Sequence, residues 1–174
     1  MGIAPCCNEM RWPSRLAAAL LALATPARAQ PYAYVANLGS DTISAIDTAS
    51  NSVAATIQVG DDPDGVAATA DGSRVYVTNF LSDSVSVIDT ATRTVTATIP
   101  VGKGPVGIAL APDDAFAYVT NRGAGTVSVI RTAINAVTDT VGVDAGPNAV
   151  AITPDGALAY VTNSFTRSPG VVSV

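Results

Sequence analysis

The sequence predicts an all-β fold built from one four-stranded antiparallel unit used repeatedly. Three observations carry this. Compared with itself at an offset of 42 residues, the chain brings Tyr34-Val35-Ala36-Asn37, Tyr76-Val77-Thr78-Asn79, Tyr118-Val119-Thr120-Asn121 and Tyr160-Val161-Thr162-Asn163 into register without a gap. Pro63, Pro105 and Pro147 align at the same offset, as do Asp71, Asp113 and Asp155, and the runs Val85-Ser86-Val87-Ile88 and Val127-Ser128-Val129-Ile130. A repeat of this length marks units that bury their faces only by stacking on neighbours. Next, Val53, Ala55, Ile57 and Val59 alternate with smaller or polar residues, and Val95, Ala97, Ile99 and Val101 repeat the alternation, so each set is expected on one face of a strand. Finally, hydrophobic residues make up 48% of the chain, charged residues 13%, and mean hydropathy is +0.36, which excludes a highly charged disordered polypeptide.

Each unit divides into four short strands. In the second they are a (66–70), b (74–79), c (84–89) and d (94–101), separated by Asp71-Gly72-Ser73 and Asp89-Thr90-Ala91-Thr92. Those residues have the chemistry of tight turns, in which short oxygen-bearing side chains bond nearby backbone groups. Four strands in a unit this short, with no helical segment, fit a propeller blade better than a solenoid coil. Strand a carries small residues, among them Ala67, Ala68, Ala109 and Ala151, as expected beside a crowded central axis. The first unit supplies only b, c and d, two units are full, and the last supplies a, b and part of c. The expectation is fourteen strands, about three and a half blades, in a partial open ring. Closed propellers have about four to eight blades. A fragment of a longer propeller is therefore expected, with open blade edges prone to self-association.

The first 29 residues are read apart from the fold. Arg11 and Arg15 precede an apolar run from Leu16 to Ala24, followed by Ala27-Arg28-Ala29, the layout of a signal peptide cleaved after Ala29. A start at Met10 gives a more compact export signal. The apolar run falls short of the roughly 17 to 25 residues that cross a bilayer, so no membrane span is expected. Residues 30–174 then form the partial propeller. Cys6 and Cys7 both lie in the leader, which leaves the mature chain without a disulfide, a thiolate metal site or a cysteine nucleophile. It keeps six basic and thirteen acidic residues, a net charge of −7, and every acid is an aspartate. A surface of this sign repels phosphate backbones, so nucleic-acid binding is disfavoured.

At the Tyr-Val-Thr-Asn strand, the Pro154-Asp155-Gly156 turn and the run from Val85 to Thr90, the chain resembles the YVTN-repeat β-propeller family of surface-layer and periplasmic proteins. The resemblance covers residues 31–174. It implies an exported seven-bladed propeller acting as a structural or binding module. Related propellers include lactonases and subunits of quinone- or haem-dependent oxidoreductases, so the fold alone does not select an activity. The chain departs from the pattern at Arg131, which replaces the aspartate of Asp47 and Asp89, at Asp114, which replaces the turn glycine, and at Asp139, which stands where Ala55 and Ala97 do. After Asn163 the segment from Ser164 to Gly170 is expected to add three residues before Val172-Ser173-Val174 resumes strand c.

Scaffold roles are expected for the repeated residues. Tyr76 and its equivalents fill space between sheets, Val77 and Thr78 suit a strand, and Asn79 turns the chain out of strand b through an Asx-type bond. Successive turns of a meander alternate between its two ends. The a–b and c–d turns therefore share one face, and the b–c and d–a loops share the other. The second face varies from unit to unit: Leu38-Gly39-Ser40, Phe80-Leu81-Ser82, Arg122-Gly123-Ala124 and the segment after Asn163. Variation on a repeated scaffold is where recognition is installed, and a protein, glycan or small ligand is expected to bind there. Asp61, Asp62 and Asp64 cluster on this face without the alternating spacing of a calcium loop, and read as a solvated acidic loop. Lys103, Arg122 and Arg167 occur once each, in different units, and form no basic stripe. With no histidine, the chain offers no Ser-His dyad, histidine haem ligand or histidine-rich metal site. No catalytic, metal or cofactor residue is assigned and no cofactor is expected. The reading is a noncatalytic exported module at the cell envelope. The alternatives are a fragment of a lactonase-like or quinone/haem-associated propeller enzyme, and a periplasmic nucleic-acid-binding propeller, which a gel-shift titration would detect.

Overall fold

The computed structural model describes residues 32–164 and 170–173. Among the described residues, fourteen strands form four antiparallel sheets. The first sheet holds β1 (Tyr32–Asn37), β2 (Thr42–Asp47) and β3 (Ser52–Gln58). The second holds β4 (Pro63–Ala68), β5 (Arg74–Asn79), β6 (Ser84–Asp89) and β7 (Thr94–Pro100). The third holds β8 (Pro105–Leu110), β9 (Phe116–Asn121), β10 (Thr126–Arg131) and β11 (Ala136–Gly142), and the last holds β12 (Pro147–Ile152), β13 (Leu158–Asn163) and β14 (Gly170–Ser173). Strands pair in chain order, so each sheet is a meander, and the sheets stack as blades of an open propeller. Residues 1–29, expected from the sequence to be a signal peptide, lie outside the described residues, as do Arg167 and Val174.

The cores lie between sheets. Tyr76, Val85, Val87 and Ile99 of the second blade meet Ala117, Val119 and Ile130 of the third. Val75, Val77 and Ile88, on the opposite side of the second blade, meet Ile43 and Ile57 of the first, with Tyr34 packed against them. Tyr118 and Val127 bury themselves with Val161. Adjacent residues thus serve opposite interfaces, as the strand period of two requires.

Strand d departs from the simple alternation. The pairing of β6 with β7 shifts between Val87 and Ile88, so that Thr96 is an extra residue in the outer strand. This bulge reverses the side-chain direction. Ala97, Ile99 and Val101 face the third blade, whereas Val95 packs towards the first. The expected single face of Val95, Ala97, Ile99 and Val101 is therefore corrected, and the same shift recurs between Ala45 and Ile46 and between Val129 and Ile130. The Thr96 hydroxyl donates to the Val87 carbonyl (3.2 Å) beside the bulge.

Strand a also begins earlier than its hydrophobic pattern suggests. Pro63 pairs with Asn79 and Val66 with Val77, leaving an irregularity at Asp64-Gly65. It is stabilised by Thr78, whose hydroxyl accepts from Gly65 N (2.7 Å) and donates to Val106 O of the next blade (2.7 Å). Thr120 repeats this with Gly107 N (2.8 Å) and Asn148 O (2.8 Å). The threonine of the repeated motif is thus a staple between blades.

Asn79 does not make the expected Asx turn. It is fully buried, its amide donating to Ser84 Oγ (3.0 Å) and Ser86 Oγ (3.0 Å), and its Oδ1 accepts from Gly60 N (3.2 Å). Asn121 bonds Thr126 and Ser128 in the same way. A buried amide has more to satisfy than a single turn bond provides, and the β5–β6 hairpin supplies the partners. At the chain's last pairing, Tyr160 opposes Val171 as Tyr118 opposes Val129. The backbone register keeps the 42-residue offset, which corrects the expected insertion of three residues before strand c resumes. Register follows the paired backbone, and the Val-Ser-Val resemblance alone does not set it.

The recurrent aspartates hold turns. Asp71 accepts from Thr69 Oγ1 (2.7 Å) and Ser73 N (2.9 Å), which lower its pKa to about 2. Asp89 is lowered mainly by Thr92, and Asp155 by Thr153 and Ala157. Asp114 adopts φ +56° where Gly72 and Gly156 sit, and its carboxylate accepts Ala70 N of the preceding blade (2.7 Å). Depressed folded-state pKa values contribute stability that is complete above the unfolded value of about 3.9 and lost as pH falls through the folded value. Melting temperature is therefore expected to fall as pH drops from 4 towards 2, and Asp71→Asn is expected to reduce that pH dependence. Thermal melts across this window check it, and equal slopes in parent and variant would contradict it.

Candidate ligand-binding face

The b–c and d–a loops converge on one end of the blades and are tied by backbone bonds. Phe80 N donates to Asp62 O (2.9 Å), Arg122 N to Gly104 O (2.8 Å) and Ser164 N to Gly146 O (2.8 Å). Two carboxylates that sequence reasoning missed hold this rim. Asp41 Oδ1 accepts Asp62 N (2.9 Å) and Asp83 Oδ1 accepts Gly104 N (2.8 Å). Asp41 and Asp83 have φ of +56° and +48°, and Gly125, one repeat on, has +64°. The signal was legible as three residues that tolerate left-handed backbone at one repeat position. Gly125 has no carboxylate, so the third rim lacks this tether.

The variable side chains divide into buried and presented groups. Phe80 is half-buried and covers Gly104, whereas Leu81 is 68% exposed at the turn tip and Leu38 is also exposed. Lys103 is exposed, and its carbonyl accepts Gly123 N (3.0 Å). Asp61 N donates to Ser82 Oγ (2.7 Å). Asp62 has φ +58°, with its amide and carbonyl both engaged by neighbouring loops. Burial pushes the Asp64 carboxyl up, the Asp62 charge adds to the rise, and Arg122 opposes it. Arg122 and the acid cluster therefore share one electrostatic neighbourhood. Among the described residues no group of three His, Cys, Asp or Glu side chains is placed to hold a metal ion.

A groove of about 520 Å³ opens between the end of β3 and the β6–β7 edge. Gln58, Ser82, Asp83 and Thr98 supply polar groups, and Val59, Val95 and Pro100 supply apolar surface. Asp83 is already committed to Gly104 N, and Ser84 and Ser86 in its wall to Asn79. The groove thus presents hydrogen-bonding and apolar surface side by side. No helix among the described residues is long and apolar enough to cross a membrane.

The architecture recurs in known proteins. The chain is similar to Kuenenia stuttgartiensis hydrazine synthase, with 26% identity and a TM-score of 0.75 over 82% of this chain and 46% of that one. It also shares its fold with a functionally unknown protein from Desulfotomaculum acetoxidans, with 19% identity and a TM-score of 0.61 over 76% of this chain and 48% of that one. The chain spans about half the length of these two structures. No curated protein matches the sequence. A YNCE-like β-propeller family model matches residues 9–118, well over half of the chain. With its repeated meanders and stacked sheets, the chain belongs to the YNCE-like β-propeller family.

Proposed function

We propose that this protein is an exported, noncatalytic propeller module that binds a protein, glycan or small ligand of the cell envelope through its b–c/d–a loop face. One observation carries the reading: the repeated residues are consumed by the scaffold, whereas the residues that differ between units stand on the rim. Tyr76, Thr78 and Asn79 are buried and bonded internally, and Leu38, Leu81 and Lys103 are presented to solvent. Export rests on the leader in residues 1–29. The expected mature product begins at Gln30 outside the cytoplasm, and an intracellular chain that keeps its leader would count against export.

Binding is tested by sedimenting the purified protein with isolated cell-envelope fragments. Leu38→Ser with Leu81→Ser is expected to reduce retention at least several-fold, while stability changes by no more than about 0.5 kcal/mol per site, as for exposed positions without structural partners. Retention equal to that of the parent, or no retention of either, would reject the rim as the binding face. A second reading, membership of a propeller enzyme assembly, is favoured by the likeness to hydrazine synthase. Both alternatives predict the same fold, so the retention assay distinguishes them by what the rim residues change.

A further inference from the structure

We infer that the groove between the first two sheets binds a neutral, hydroxyl-rich ligand, a saccharide unit. The inference rests on the binding reading above and names the ligand class for one part of that loop face. Val59 and Val95 in the groove wall pack against the core that joins β2 and β3 to β5 and β6. The groove therefore lies between faces that two described sheets turn to each other, and owes nothing to the outward faces of the end sheets. Its volume of about 520 Å³ falls within the roughly 300–1,000 Å³ of small-molecule sites.

The lining combines donors with acceptors. Ser84 and Ser86 are 6% and 2% exposed, and each Oγ accepts from the Asn79 amide (3.0 Å in both), which leaves each O–H to donate. Ser82 Oγ accepts from Asp61 N (2.7 Å) and keeps its proton in the same way. Asp83 Oδ1 accepts from Gly104 N (2.8 Å), which leaves Oδ2 to accept, and Gln58 Nε2 donates to Asp41 O (2.8 Å), which leaves Oε1. The internal bonds fix these side chains, and each keeps hydrogen-bonding capacity for a ligand.

Ligand class follows by elimination. The lining holds one carboxylate and no cation, so an anion is repelled. A cation that only donates would leave the serine protons without acceptors. A hydroxyl meets both demands, because it donates to Asp83 and Gln58 and accepts from serine. Val59, Val95 and Pro100 offer apolar surface to the C–H faces of a sugar ring. Comparison with the next pair of sheets shows that the blade scaffold does not require this polar set. One repeat on, Gln58, Ser82 and Asp83 become Pro100, Ala124 and Gly125. The wall positions Val59, Ser86 and Thr98 are meanwhile kept as Val101, Ser128 and Thr140.

Saturation-transfer NMR and calorimetric titration of the full chain test this with glucose, galactose, N-acetylglucosamine and maltose. Glucuronate serves as the anionic counterpart and butylammonium as a cation without hydroxyls. At least one neutral sugar is expected to bind with a millimolar Kd or tighter, and both charged probes more weakly. Asp83→Asn, which the left-handed backbone at φ +48° tolerates, is expected to weaken the neutral sugar about tenfold and to abolish discrimination against glucuronate. Gln58→Ala should weaken it several-fold, and Thr140→Ala, outside the groove, should not. No binding of any neutral sugar at about 10 mM, equal affinity for butylammonium, or affinities unchanged by Asp83→Asn and Gln58→Ala would overturn the site. Discrimination between glucose and glucuronate is read within one variant, so the test holds even if a variant loses stability. If sugars fail while envelope retention still depends on Leu38 and Leu81, the groove falls and the rim reading stands; sugar binding without retention gives the reverse. Loss of retention on adding the bound sugar identifies an envelope glycan as the source, and unchanged retention a free saccharide.

Discussion

Tyr76→Ala is expected to destabilise the protein by about 3–5 kcal/mol, the range for truncating a fully buried aromatic side chain. The ring sits among Val85, Val87 and Ile99 of its own sheet and Ala117, Val119 and Ile130 of the next, so its removal opens a cavity between two blades, where neither sheet can collapse without moving as a body. Tyr76→Phe is the control. It removes only a hydroxyl whose partner, Asn135 Oδ1, lies at 3.5 Å, and should cost less than about 1 kcal/mol. Chemical denaturation measures both. Equal losses would mean that the hydroxyl, and not the volume of the ring, holds the interface.

Gly107→Ala is expected to cost about 3 kcal/mol, the upper part of the range for overpacking a close-packed core. A methyl group there would collide with the carbonyl oxygen of Asn148 and stand 3.1 Å from Ala149 Cα and 3.0 Å from Thr120 Oγ1. Most of those atoms are backbone, which moves only if β8 and β12 separate. Separation in turn breaks the Thr120 staple between Gly107 N and Asn148 O. Gly142→Ala is the matched control: nothing lies within 4 Å of its Cβ position, so it should be neutral or slightly stabilising. If the two glycine variants melt alike, close approach of the inner strands is not what selects glycine in strand a.

Together these variants separate what holds a blade from what joins blades. The Asn79 amide, with Ser84 and Ser86, closes a hairpin within one sheet. Tyr76, Thr78 and Thr120 act between sheets, through packing in one case and hydroxyl staples in the others. That division explains why the Tyr-Val-Thr-Asn run recurs so regularly: the Thr78 and Thr120 hydroxyls and the Asn79 and Asn121 amide nitrogens all have internal partners. It also explains why the rim is free to vary. Backbone bonds such as Phe80 N to Asp62 O and Arg122 N to Gly104 O, with the Asp41 and Asp83 carboxylates, hold the loops without calling on the side chains of Leu38, Leu81 or Lys103.

Strands b and c were legible to the residue, because Arg74–Asn79 and Ser84–Asp89 combine β-branched residues with flanking turn residues such as Asp71-Gly72-Ser73, Asp83 and Thr90. Strand d was legible in extent but not in direction. Nothing in Val95 to Val101 announces that Thr96 is an extra residue, since a bulge is a property of two paired strands and the pattern belongs to one. Strand a was misplaced at its start for a related reason: Pro63 joins the sheet across an irregularity held by Thr78, a residue of its neighbour. On the candidate face, the loops that differ could be read from the repeat. At Asp41 and Asp83 the repeat discloses a position that tolerates left-handed backbone but not the tether, because their carboxylates accept from backbone groups 21 residues away.

The sequence by itself determined the repeated unit, its four strands, the all-β propeller class and the separation of regular scaffold from variable loops. These follow from local alternation, turn chemistry and a period that any self-comparison reveals. Only the tertiary structure decided which face each side chain of strand d occupies, that Thr78 and Thr120 bridge blades, and that Tyr160 stands open where Tyr76 is enclosed. Those depend on which sheet lies against which, and identical residues in identical strands acquire different energies from the neighbours that stacking supplies.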